Sequence, residues 1–70
     1  QMKLTNQVRL YRQQHKWTQE QFAERIGVTR QTVISLEKGS YTPSLLLAMQ
    51  IARVFDRPIE ELFQLEEEPR

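Results

Sequence analysis

Between Trp17 and Gly39 the chain starts and stops two helices, with a single glycine punctuating the turn between them. The first start is Trp17-Thr18-Gln19-Glu20-Gln21-Phe22. Thr18 can accept from the amide of Gln21, the Gln21 side chain can reach back, and Trp17 can pack on Phe22 across the cap. Phe22, Ala23 and Ile26 then make one apolar face, and Gly27 supplies the left-handed residue that stops the helix. Val28-Thr29 repeats the entry, with Thr29 as N-cap and Val28 placed to staple onto Val33. The second helix runs from Arg30 to about Lys38; Val33 and Leu36 face inward and Gly39 ends it.

The rest of the chain has to hold this pair. At 70 residues it makes one domain, near the lower size at which an apolar core folds unaided. Without cysteine, neither a disulfide nor a thiolate zinc site can add stability, so helix packing, with or without dimerisation, must supply it. No apolar run approaches the roughly 18 residues of a membrane span, and no charged-then-apolar leader opens the chain. A soluble cytoplasmic protein, nucleoid-associated and with no membrane partner, is expected. Gln1 precedes Met2, which reads as the natural start, so Gln1 is set aside.

Leu4, Val8 and Tyr11 form a helical stripe that places helix one from Asn6 to about Gln14. Ser40-Tyr41-Thr42-Pro43 reads as a loop into helix four, with Thr42 capping and Pro43 at the first helical position, where its missing amide costs nothing. Leu45, Ala48, Ile51, Ala52 and Phe55 make its apolar stripe, and Asp56-Arg57 breaks it. Pro58 opens a short fifth helix carrying Ile59, Leu62 and Phe63. The two ends alternate instead: Met2-Lys3-Leu4-Thr5 and Phe63-Gln64-Leu65-Glu66 have the period of half-buried strands and predict a small antiparallel ribbon. Glu66 to Arg70 reads as a disordered acidic tail. The domain then covers residues 1–65, with a helix-turn-helix at about 18–38 and a tail over 66–70.

Two short capped helices joined by a glycine-containing turn form the unit that lays its second helix in the major groove of DNA. With Val33 and Leu36 inward, Arg30, Gln31, Ile34, Ser35 and Lys38 face out. Arginine can bond bidentately to guanine and glutamine to adenine, each good pair giving about 1–3 kcal/mol of discrimination. Ile34 could meet a thymine methyl or a partner, and an isolated exposed aliphatic residue is equally ordinary. Gln19 stands at a positive helix end suited to a phosphate oxygen. Lys38 with the Ser40-Tyr41-Thr42 loop is the matching anchor, and Thr29 and Thr32 complete the expected backbone contacts. The charge distribution agrees. Residues 1–42 hold seven Lys and Arg against three Glu, whereas residues 43–70 hold three Arg against six acids. That asymmetry orients the basic half toward phosphates.

Catalysis finds little in this sequence. His15 is the sole histidine, and Glu20 with Glu24 is a solvated i, i+4 pair rather than a dyad in a cleft. No enzyme, metal site, cofactor or small-molecule ligand is expected, the metal ligand count being too low.

The run from Thr18 to Val33, continuing through Leu36-Glu37-Lys38-Gly39 to Pro43-Ser44-Leu45, resembles the Cro/CI-type (Xre) family of bacterial and phage regulators over nearly the whole chain. The resemblance implies an all-α, five-helix, lambda-repressor-like domain. It also implies a homodimer on a near-palindromic operator in double-stranded DNA and control of transcription, most simply as a repressor. Family members make base contacts at the positions of Arg30, Gln31 and Ser35 and a phosphate contact at that of Gln19. They often pair an arginine of helix one with the glutamate closing helix three, here Arg12 and Glu37, which makes Arg12 structural. Short members of the cytolysin repressor type are similar in ending soon after a Leu-Phe-Gln-like segment. They imply dimerisation through Ile59, Leu62, Phe63 and Leu65, although Leu62 could equally be core. Trp17 stands where the family usually has leucine, and Ile34 and Leu46 where polar residues are common.

A competing reading is an antitoxin or partner-binding module of the same fold, whose main surface is Leu46, Met49, Ile59, Phe63 and Leu65.

Overall fold

The computed structural model describes residues 1–69. In chain order these form β1 (Met2–Asn6), α1 (Val8–Gln14), α2 (Gln19–Ile26), α3 (Arg30–Lys38), α4 (Leu45–Phe55), α5 (Ile59–Leu62) and β2 (Phe63–Glu67). Five helices surround one core, and the two strands pair antiparallel with Leu4 opposite Leu65. Val8, Phe22, Leu36, Ile51 and Leu62, one from each helix, are each 0% exposed. The core is therefore common to all five helices, and none can shift without moving the others.

The local chemistry of α2 and α3 follows the expected pattern. Thr18 accepts from the amide of Gln21 at 3.0 Å while the Gln21 side chain accepts from the amide of Thr18 at 2.9 Å, a reciprocal cap. The Trp17 and Phe22 rings lie nearly parallel with centroids 6.3 Å apart. Gly27 and Gly39 close α2 and α3 at φ of 73° and 82°, in the left-handed region where a side chain would be strained. Thr29 accepts from the amide of Thr32, so α3 starts where the sequence placed it.

Three expectations need correction. Helix one begins at Val8, not Asn6, because Asn6 ends β1 and uses its side chain twice: Oδ1 accepts from the Val8 amide at 3.1 Å and Nδ2 donates to the Leu36 carbonyl at 2.9 Å. Helix four is capped by Ser44, whose hydroxyl accepts from the Leu47 amide at 3.1 Å, so Thr42 and Pro43 stay in the loop. The buried stripe accordingly runs Leu47, Ala48, Ile51, Phe55, and Leu45 points to solvent. Thirdly, the strand continues to Glu67, and the Glu68 amide donates to the Gln1 carbonyl at 2.9 Å. Glu66 and Glu67, expected in a disordered tail, are ladder residues; Arg70 of that expected tail lies outside the described residues.

A two-stranded ribbon is marginal by itself. This one is rooted in the core at its base, where Phe63 is buried, Leu4 packs against the cluster, and the Gln7 amide donates to the Leu62 carbonyl at 2.8 Å. Asn6 then ties the ribbon to the last turn of α3.

Candidate nucleic-acid interface

The orientation of α3 follows from two buried side chains. Val33 and Leu36 enter the core, and at 3.6 residues per turn the opposite side must carry Gln31 and Lys38, flanked by Ile34 and Arg30 on one side and Ser35 on the other. Arg30, Gln31 and Lys38 are exposed, and Ile34 and Ser35 are half-buried. Two exposed long polar side chains thus open the helix at its N-terminal turn, the part of a groove-reading helix that meets base edges. Ile34 is not an isolated surface residue. It lies in an open depression with Arg9 and Arg12 of α1, Gln19 of α2, and Glu37 and Lys38 of α3.

Behind that face sits an ion pair. Arg12 Nε donates to Glu37 Oε2 at 2.6 Å and its Nη2 to Oε1 at 3.2 Å, a fork-on-carboxylate geometry that fixes both side chains. Their side chains are only 11% and 5% exposed. Arg12 Nη1 also donates to the Trp17 carbonyl at 2.8 Å. One guanidinium therefore joins α1, the turn before α2, and the end of α3. Sequence reasoning missed a further member: Gln19 Nε2 donates to Glu37 Oε1 at 3.2 Å. The Gln19 amide is held by the same carboxylate, with its second N–H and its carbonyl available at the start of α2.

The other residues expected at phosphates are placed around α3. The Thr29 and Thr32 hydroxyls bond each other at 3.0 Å, which consumes one hydroxyl proton and leaves the other to donate outward. Ser40 donates its hydroxyl to the Ser35 carbonyl at 3.2 Å, and Tyr41 and Thr42 are exposed in the loop after Gly39. Of the four residues expected to dimerise the chain, Leu62 and Phe63 are buried within the chain itself, since α5 is a single turn whose inner side closes the core. Ile59 is half-buried and Leu65 exposed.

Trp17 belongs to an aromatic cluster centred on Phe55, which also meets Tyr11, His15 and Phe22. The Trp17 ring stacks on Phe55 with centroids 5.9 Å apart, His15 lies tilted against it at 4.5 Å, and the Arg25 guanidinium lies 4.3 Å from its centroid. His15 is thus the exposed edge of this cluster, its ring tilted against Trp17 and Phe55. Among the described residues no group of three or more His, Cys, Asp or Glu is placed to hold a metal ion, and no helix is long and apolar enough to cross a membrane.

These features define a helix-turn-helix domain that presents its second helix from a rigid frame. A family model described as helix-turn-helix matches residues 8–62. An uncharacterized HTH-type transcriptional regulator of Methanothermobacter thermautotrophicus is 55% identical over 62 residues, covering 87% of this chain and 90% of the relative. The regulator YgzD of Bacillus subtilis is 48% identical over 65 residues, covering 93% and 98%. Another from Methanocaldococcus jannaschii is 46% identical over 65 residues, with the same coverage. The chain belongs to the Cro/CI-type (Xre) helix-turn-helix family, whose activity is DNA-binding transcription regulation. Its relatives include archaeal as well as bacterial proteins, so the similarity does not point to bacteria alone.

Proposed function

We propose that the chain is a dimeric, sequence-specific repressor that reads a near-palindromic operator through the major groove, with Arg30 and Gln31 as the principal base contacts and Ser35 and Ile34 beside them. One observation carries this reading: burial of Val33 and Leu36 leaves Arg30 and Gln31 exposed together on the first turn of α3. Gln19, Thr29, Thr32 and Lys38, with Ser40, Tyr41 and Thr42, serve the phosphates and set register rather than sequence. Repression follows most simply from occupying a site that polymerase needs.

The dimer surface in this reading is the apolar side of the ribbon together with Ile59. Met2, Leu4 and Leu65 share one side of the sheet by register; Met2 at its outer end and Leu65 at its middle are 55% and 66% exposed. Two copies related by a twofold axis would set their α3 helices about 34 Å apart, one turn of DNA.

Selection of bound duplexes from a random pool, at stated salt, tests the proposal. An enriched motif with inverted half-sites about one helical turn apart is the expected result; recovery of unenriched sequence would overturn it. A second reading, a module that binds a protein partner, is favoured by Leu46 and Met49, which are 70% and 56% exposed on the outer side of α4. Size-exclusion chromatography with the product of a neighbouring gene separates the two. A stable heteromer that no longer binds DNA would favour the partner-binding module.

A further inference from the structure

We infer that Arg9, on α1, is a DNA-backbone contact that acts with Lys38 and Gln19 at one phosphate position beside α3. This rests on the DNA-binding reading above. Arg9 lies one turn before Arg12, at i, i+3, on the side of α1 that faces the end of α3, and it shares the open depression with Arg12, Gln19, Ile34, Glu37 and Lys38. The charges there do not cancel. Arg12 and Glu37 neutralise each other at 2.6 Å, whereas neither Arg9 nor Lys38 has an acidic partner within ion-pair distance among the described residues.

The depression therefore keeps two uncompensated positive charges and the second N–H of Gln19, whose first is held on Glu37. Its lining includes Ile34, which flanks Gln31 and Lys38 on the outward side of α3. A phosphate of a DNA strand passing along that side of α3 would offer its two non-bridging oxygens to these donors. Arg9 is long enough to reach it from α1, and its exposure leaves the guanidinium mobile enough to do so.

The test is the salt dependence of binding to the selected operator and to random duplex. Arg9→Gln should weaken both by the same factor and make the slope of log affinity against log salt shallower by about 0.9, the release of one counterion. Arg9→Lys should keep the slope, and Arg53→Gln, on α4 away from this side, should leave both affinity and slope unchanged. Thermal unfolding of Arg9→Gln should match the parent chain. An unchanged slope with Arg9→Gln, while the parent chain still binds its operator, would overturn this inference and leave the DNA-binding reading intact. Absence of operator binding by the parent chain would overturn both.

Discussion

Arg12 Nε lies 2.6 Å from Glu37 Oε2 beneath the outward face of α3, and the same carboxylate holds the side-chain amide of Gln19. A nearly buried pair of this kind stabilises little over an apolar replacement, yet breaking it by removing one partner is costly. Its value here is positional, since it ties α1 and the start of α2 to the last turn of α3.

Glu37→Gln should therefore destabilise the domain by about 3 kcal/mol, because it leaves the Arg12 guanidinium buried without a counter-charge. The double replacement Arg12→Met, Glu37→Met should cost less than this single change. Urea denaturation of the three variants checks it, and a double variant less stable than Glu37→Gln would contradict it.

The cap of α4 offers a sharper discrimination. Ser44→Ala should cost about 1 kcal/mol by leaving the Leu47 amide unpaired, while Thr42→Ala should change stability by under about 0.5 kcal/mol. Midpoints of thermal unfolding read both, and the reverse order would restore Thr42 as the cap.

Much of the fold was legible for a local reason. Thr18 with Gln21, Thr29 with Thr32, and the stops at Gly27 and Gly39 each involve residues within one turn, so sequence spacing alone specifies them. The choice between Thr42 and Ser44 is different. Either flanks Pro43 acceptably, and packing decides, because capping at Ser44 turns Leu47 rather than Leu45 into the core. The acidic end misled for a similar reason: Glu66 finds the Thr5 hydroxyl at 3.0 Å across the ribbon, which charge composition does not reveal. For the site, the helix face was readable from period. The grip of Glu37 on Gln19 spans 18 residues and the Asn6 bond to Leu36 spans 30, and neither has a sequence period. An asparagine ending an alternating strand two residues before a helix was the one available signal, as an Asx turn.

Core and surface leucines should separate cleanly. Leu36→Ala removes a fully buried side chain from beneath the recognition face and should cost about 2–5 kcal/mol, whereas Leu46→Ala should lie within about 0.5 kcal/mol of the parent. Equal losses would mean that Leu46 is buried in solution by another chain, a result that equilibrium sedimentation would show independently.

Lys16 adopts a φ of 59° in the turn between α1 and α2. A left-handed lysine is strained by roughly 1 kcal/mol, and glycine relieves this at the expense of a more flexible unfolded chain. Lys16→Gly should leave stability within about 1 kcal/mol of the parent, whereas Lys16→Val, which adds a branched Cβ in that conformation, should destabilise by more than Lys16→Gly. Paired unfolding curves decide it.

The central claim is that α3 reads sequence at its first turn and grips the backbone at its last, and affinities of Arg30→Ala and Lys38→Ala for operator and random duplex across a salt series test it directly. Arg30→Ala should lose about 1–3 kcal/mol on the operator and far less on random DNA, relaxing preference at one base pair per half-site. Lys38→Ala should weaken both duplexes alike and flatten the salt slope by about one unit. Equal losses on operator and random DNA for Arg30→Ala would contradict the claim.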